Sequence, residues 1–553
     1  MAKRAADALS DVGSPPKKRT RGSSNPDRLS QLSDETLLRI LSYLPVPALN
    51  ACQRISKRFH AIACDSQLWK AAYYNRFVRP RASRLPGIKD VNSAGHLYYS
   101  SKISKWLDEA SLVEKGKDTN WKRQYKLRHN WARGACDVAE IPLLEAPSAS
   151  PVLVHFNEGI IYTADLESGL RAWSVGKDRN LIASIALEPQ GHELQPMPTS
   201  LTVDETEAAA KSRNIVIGFE DGSFSVFGLS KASGEFRMMY SHPASSNGVL
   251  TAVAYASPYL LTMSGTQLMS LYKFPKRHKK ESGHEVLDPP RLLYSLRSHT
   301  VWPPLSLSIR PSSENLIASI AYALPTYVSG WTVGIQEMRI TQEGKLIDSR
   351  LAFAEHQGFQ SLSKRFLHSS SGESSRPTPA SASAPSYSKP SSLSYTHPYL
   401  LSSHPDNTLT LYMVKSTKDS LSIGPGTRLW GHTSSVSGAH VAARGKAVSV
   451  SSRGDEIRVW ELEGGLGSSS SRKRQPAGEM SIRIQPEQKS SASYESSSTN
   501  NDTPLVSTSL AMALRQADDC SRTGDWVGFD EENVIVLREW SRGNQALVVY
   551  DFT

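Results

Sequence analysis

Five times between Gly159 and Trp460 the sequence repeats one local design: an apolar run of four or five residues, a polar turn, and a second run closing on an aromatic. The copies are Gly159 to Thr163 with Leu170 to Trp173, Asn214 to Gly218 with Phe224 to Phe227, and Tyr259 to Thr262 with Met269 to Tyr272. Tyr399 to Ser402 with Leu409 to Tyr412, and Ala447 to Val450 with Ile457 to Trp460, complete the set. Each reads as strand, turn, strand, which is a hairpin. A single hairpin cannot hide both faces of its sheet, so recurrence of one type points to a repeat architecture in which each unit covers its neighbour. Counting onward from Ala135 gives seven units, near 152–175, 199–229, 249–274, 305–333, 397–414, 431–462 and 525–552. The last supplies three strands before the sequence ends, and Cys136 to Leu144 is the expected fourth, which would close the ring and remove its exposed edges.

The stretch from Arg28 to Phe77 has a different period. Leu37, Ile40, Leu41 and Leu44 recur at helical spacing behind the acidic pair Asp34-Glu35, which suits a helix N-terminus. Pro45 stops that helix and Pro47 suits the start of the next. Cys52, Ile55, Phe59 and Ile62 give a second apolar face, and Asp65 offers a cap before Leu68-Trp69. Leu38 and Tyr43 widen the first helix's apolar arc beyond one stripe. A unit of about 50 residues buries little apolar surface by itself, so this one reads either as a helical cap on the rest of the chain or as a unit that keeps hydrophobic surface for a partner.

These residues carry a resemblance. Leu32, Asp34-Glu35, Leu37-Leu38, Ile40, Leu44, Pro47, Leu49, Ile55, Lys57-Arg58-Phe59, Ala63, Asp65 and Leu68-Trp69 fall in the pattern of an F-box without a gap, Ser33 standing where the family usually has proline. The resemblance implies docking on the Skp-type adaptor, and through it on the cullin scaffold, of SCF-type ubiquitin ligases. By that analogy Leu32, Leu38, Leu41, Leu44, Pro45, Ile55 and Trp69 are contact or core residues. The run Asn120 to Gly134 is similar to the segment joining F-box to propeller in F-box/WD-repeat proteins, its aromatics packing and its lysines and arginines facing water. Gly431-His432 with Trp460 resembles a WD repeat, Trp173 closes another copy, and Asp221 and Asp406 hold the acidic turn position that Glu167, Thr266 and Arg453 occupy elsewhere. The implied fold is multidomain: a small all-α F-box at 28–77, a helical linker at 78–134, and an all-β propeller of seven degenerate WD repeats at 135–553.

Residues 1–27 pair Lys3-Arg4 with Lys17, Lys18, Arg19 and Arg21 across a spacer, resembling a bipartite nuclear localisation signal; the nucleus is the expected compartment, with the cytoplasm as a second. Ser-rich stretches at about 361–394 and 464–502 hold too few apolar residues to form a core and are expected as projecting loops.

What the sequence lacks narrows the function. The four cysteines are scattered, with no CxxC, so no zinc site or disulfide framework is expected. No apolar run reaches the roughly 18 residues of a membrane helix, and no phosphate loop, GxSxG or HExxH is present. No catalytic residue, metal or cofactor is therefore assigned. The net charge of +11 sits mainly in tail, linker and loops rather than in an ordered stripe, which argues against nucleic acid as the partner. The reading is a non-catalytic substrate receptor whose propeller holds a protein, with phosphorylated segments as one substrate class because arginine clamps phosphate bidentately. The alternatives are a nuclear scaffold using its F-box outside a ligase, and a nucleic-acid-binding propeller.

Overall fold

The computed structural model of the chain describes residues 28–29, 31–78, 119–144 and 151–553, apart from 177–178, 188–194, 206–211, 231, 276–277, 280–284, 299–300, 312–314, 327–329, 342–343, 355–387, 443–444, 454–455, 463–480, 487–521 and 540–543. These residues divide into two compact units, one helical and one of strands.

The helical unit holds α1 (Asp34–Leu41), α2 (Val46–Cys52), α3 (Lys57–Ala63), α4 (Ser66–Tyr73) and a π turn (Tyr74–Val78). Its boundaries are set by caps. The Ser33, Ser56 and Asp65 side chains accept from the backbone N–H of Thr36, Phe59 and Gln67, and Pro45 precedes α2. Leu37, Leu41, Leu49, Phe59, Ile62, Ala63 and Leu68 form the core. Residues 121–125, the start of α5 (Trp121–Arg133), belong to this unit as well: Trp121 packs on Tyr73 at 5.4 Å and Tyr125 on Phe77 at 5.4 Å.

The second unit is a β-propeller of seven blades. Blade 1 comprises Leu153–Asn157, Ile160–Asp165, Gly169–Ser174 and Leu181–Ile185; blade 2 Pro198–Val203, Ser212–Phe219, Phe224–Ser230 and Phe236–His242; blade 3 Leu250–Ala256, Tyr259–Ser264, Leu268–Lys273 and Arg291–Arg297. Blade 4 has Trp302–Pro311, Asn315–Thr326, Gly330–Thr341 and Leu346–Phe353. Blade 5 has Ser392–Thr396, Tyr399–Ser403 and Thr408–Ser416, with Leu421–Ile423 and Thr427–Trp430 sharing its outer edge. Blade 6 has Val436–Val441, Lys446–Ser451, Ile457–Glu461 and Ser481–Arg483. Blade 7 takes Arg522–Phe529, Asn533–Glu539 and Gln545–Asp551 from the end of the sequence and Ala135–Leu144 as its outer strand, paired antiparallel from Asp137 opposite Asp551. Inner strands of successive blades touch all the way round, blade 7 meeting blade 1. The expected closure forms.

Each sheet is buried on both faces, which explains why its middle strands are apolar without alternation. Ile215 and Ile217 face the core shared with blade 1, while Val216 between them faces the core shared with blade 3. Ile161 and Tyr162 divide in the same way, as do Leu400 and Leu401. Where α5 turns into the outer strand of blade 7, Gly134 has φ +69°, and a Cβ there would lie 2.2 Å from the Arg483 carbonyl oxygen, so glycine is required.

Three sequence expectations are corrected. The blades extend beyond the hairpins, because the outer strands are partly exposed and carry no clean apolar run; Arg291–Arg297 and Leu346–Phe353 are examples. The Ser-rich stretch at 361–394 ends in a strand: Ser392–Thr396 lines blade 5 from within, since its hydroxyls bond to backbone and to each other, the Ser394 Oγ accepting from Val441 N at 3.1 Å. The stretch at 464–502 likewise contains Ser481–Arg483, the outer strand of blade 6, followed by Gln485–Pro486 beside Ala135–Cys136. Residues 79–118 of the expected helical linker and the basic residues Lys3, Arg4, Lys17, Lys18, Arg19 and Arg21 lie outside the described residues.

Candidate functional site

In the helical unit, the seven residues singled out as contact or core fall into three groups. Leu41 is core, at the end of α1 beneath Leu37. Trp69 is core too; its indole N–H donates to the Ala63 carbonyl at 2.8 Å and its ring meets Tyr125 at 5.5 Å. Leu32, Leu38 and Leu44 are half-buried at the core's edge, while Pro45 and Ile55 are exposed.

Three large apolar side chains of this unit stand among its exposed charged residues. Tyr43 is 72% exposed, Ile55 65% and Ile40 40%, although Ile40 shares its helical spacing with buried Leu37 and Leu41. Arg39 stacks over the Tyr43 ring at 5.3 Å, holding the phenol out from the end of α1. The segment leading into α1 is held to α3 by Arg58, whose guanidinium donates to the Leu32 carbonyl at 2.5 Å and to the Asp34 carboxylate at 2.7 Å. Tyr43 is a surface residue whose only trace in the sequence was the widened apolar arc, and Ile40, which periodicity placed in the core stripe, is a surface residue too.

The basic residues of α5 differ from expectation. They do not simply face water: Lys122 Nζ donates to Gln53 Oε1 at 2.7 Å and lies 5.7 Å from the Trp69 ring, within the helical unit. In the propeller unit, Lys126 donates to the Thr553 carbonyl at 3.0 Å, and Trp131 stacks on Phe552 at 4.1 Å. This helix is packed on its charged side as well as its aromatic one.

In the propeller, the resemblance-derived residues of blade 6 form one buried chain. The Trp460 indole N–H donates to Ser449 Oγ at 2.8 Å, and the serine's own hydrogen is then directed at His432 Nε2, 2.6 Å away. The acid is Glu456, three positions beyond Arg453: its Oε2 accepts from Thr433 N at 2.8 Å and lies 3.5 Å from His432 Nδ1, while its Oε1 accepts from Arg458 at 2.7 Å. Burial works to raise the Glu456 pKa, but these hydrogen bonds outweigh it and hold it below the usual value. In blade 1, Trp173 donates to Thr163 at 3.2 Å, and the acid is Asp165 rather than Glu167, accepting from Arg171 at 2.9 Å. Asp221 accepts from Ser223 N at 2.9 Å and holds its turn; Asp406 accepts from Thr408 Oγ1 at 2.5 Å and pairs with Arg428. All of these close turns or tie strands. Among the described residues no group of histidine, cysteine and carboxylate side chains is placed to hold a metal ion.

The family models agree with this architecture. Residues 30–75 match the F-box-like family, and residues 136–553 match the family described as F-box protein pof12 beta-propeller. F-box protein pof12 of Schizosaccharomyces pombe is 24% identical over 450 residues, which is 78% of this chain and 84% of that one. F-box protein dre-1 of Caenorhabditis elegans is 37% identical over 51 residues, 9% of this chain and 5% of its own length. Among solved structures, the WD40 beta propeller domain of Doa1 aligns with 95% of its length at 12% identity and a TM-score of 0.34, and Saccharomyces cerevisiae Sqt1 with 81% at 11% and 0.32. A helical unit with the F-box pattern and a seven-bladed propeller lie in one chain, and the second match spans most of it. The chain belongs to the F-box protein pof12 beta-propeller family.

Proposed function

We propose that this F-box protein is the substrate-receiving subunit of an SCF-type ubiquitin ligase: the F-box holds the Skp-type adaptor, and through it the cullin, while the propeller holds the protein to be modified. The observation that carries the reading is the exposure of Ile40, Tyr43 and Ile55 on a small helical unit with the F-box pattern. An F-box as a class binds that adaptor. The chain's own contribution to the reaction is positional. A tethered substrate lysine meets the charged ubiquitin carrier at high effective concentration, and no bond-making side chain of this protein is needed.

The test is reconstitution. Purified chain, adaptor and cullin should co-elute, and a protein retained on the propeller should acquire ubiquitin when this complex is supplied with ubiquitin, ATP, the activating enzyme and the charged ubiquitin carrier with its RING partner. Recovery of adaptor without cullin, or unchanged levels of every retained protein when the chain is depleted, would instead support a scaffold outside a ligase. The basic clusters from Lys3 to Arg21 are proposed to direct nuclear import; a fluorescent fusion lacking residues 1–27 should then lose nuclear enrichment.

A further inference from the structure

Between blades 3 and 4 the propeller contains a cavity of about 330 Å3, the lower end of the range for ligand pockets. Its wall includes Met263, Met269, Leu296 and Val301, with Leu351 from the outer strand of blade 4. No acidic side chain lines it, while Arg297 does. Arg297 is exposed and makes no ion pair among the described residues. Hydrogen-bonding capacity inside is modest: Gln336 Nε2 donates to Ser349 Oγ at 3.2 Å across the facing strands.

The surroundings extend this apolar character. Leu351 is 52% exposed, and Phe353, on the same side of the strand by the two-residue alternation, is exposed as well. Trp302, next in sequence to Val301, is 43% exposed. Between blades 1 and 2, Leu170, Ile215 and Ile217 are wholly buried in the shared core.

We propose that this cavity is a peptide-binding site, taking one aliphatic or methionine side chain of an extended segment whose adjacent aspartate or glutamate pairs with Arg297. The sign of the partner follows from the site: an uncompensated cation at an apolar mouth favours an apolar residue flanked by an acid and disfavours one flanked by a lysine. Methionines at the back of the cavity adjust to different aliphatic shapes, which suits recognition of a class of segments rather than one sequence. This rests on the receptor reading, in which the propeller holds a protein substrate, and it names the kind of segment held.

A random peptide library is panned on the full chain and on Arg297→Glu and Leu351→Trp forms. Both positions are exposed, so the variants should keep the wild-type melting temperature; the larger ring at 351 covers the mouth. The expected result is enrichment of peptides pairing an apolar residue with Asp or Glu, and a synthetic copy should bind either variant at least about tenfold more weakly than wild type. No enrichment, enriched peptides that bind all three proteins equally, or their displacement by a mixed-sequence oligonucleotide would each overturn the proposal. Adaptor binding measured on the same preparations separates the two readings: its absence from wild type refutes the receptor function, whereas its presence with variant-insensitive peptides refutes only the cavity.

Discussion

In the propeller, Ile215, Val216 and Ile217 are consecutive and none retains any exposed surface; in the helical unit, Ile40 sits beside Leu41 and the two differ by an outward and an inward face. The contrast comes from geometry. A blade has a neighbour on each side, so every residue of a middle strand has a core to enter. Four short helices around one core have only an inside and an outside, and their outside here carries Tyr43 and Ile55. Closed burial makes the propeller self-sufficient; one-sided burial leaves the F-box with surface to share.

Substitutions sharpen that contrast. The largest effect is expected from Trp460→Ala, which empties a wholly buried site in blade 6 and should lower propeller stability by about 3–5 kcal/mol. The helical counterpart is Leu41→Ala, with about 2–5 kcal/mol lost from the F-box core. Calorimetry of each variant should show the Trp460 change in the strand-rich unit and the Leu41 change in the helical one. Equal broadening everywhere would contradict the division into two units.

Within the propeller, Ser449→Ala removes the acceptor of the Trp460 indole and the partner of His432, and should cost about 1–3 kcal/mol in chemical denaturation. Thr163→Ala in blade 1 leaves only the half-buried Trp173 without its acceptor and should cost less. If the two cost the same, the longer chain through His432 and Glu456 adds nothing.

The smallest effect depends on pH. Burial pushes Asp530, which accepts from Glu532 N and Asn533 N in a blade 7 turn, up to about 6 from 3.8. A raised acid favours the native state while protonated. Stability is therefore fully present below pH 3.8 and falls as pH rises to about 6. Asp530→Asn keeps the accepting oxygen without the charge and should raise stability at pH 7 by about 1–2 kcal/mol, and should change little at pH 3.5. A gain of the same size at both pH values would rule out the ionisation as its cause.

Much of this architecture was legible in the sequence. The Asp65 cap and the acidic first turn at Asp34-Glu35 lie where the pattern puts them, and the hairpins marked the middle strands of five blades because those strands are continuously apolar. Outer strands were not legible, since half-exposed residues such as Leu181 and Leu292 obey no burial rule of period two. Ser392–Thr396 was hidden by composition: its serines look like linker until partners such as Ser403 and Val441 are known. Glu456 was missed for a related reason, because the acidic position was counted along the chain, and the turn delivers a carboxylate from three residues further on. At the F-box face, periodicity alone selects Leu41, Ile40 and Leu44 together; only packing separates core from surface.

The central claim is that the exposed face of the F-box, and not its core pattern, holds the adaptor. The direct test is the affinity of the full chain for purified Skp-type adaptor by titration calorimetry, comparing wild type with Tyr43→Asp and Ile55→Asp combined. The account predicts retained helical circular dichroism and an affinity lower by at least about 100-fold, as for paired hot-spot residues. Unchanged affinity in a folded double variant would contradict it and place the docking surface elsewhere on the chain.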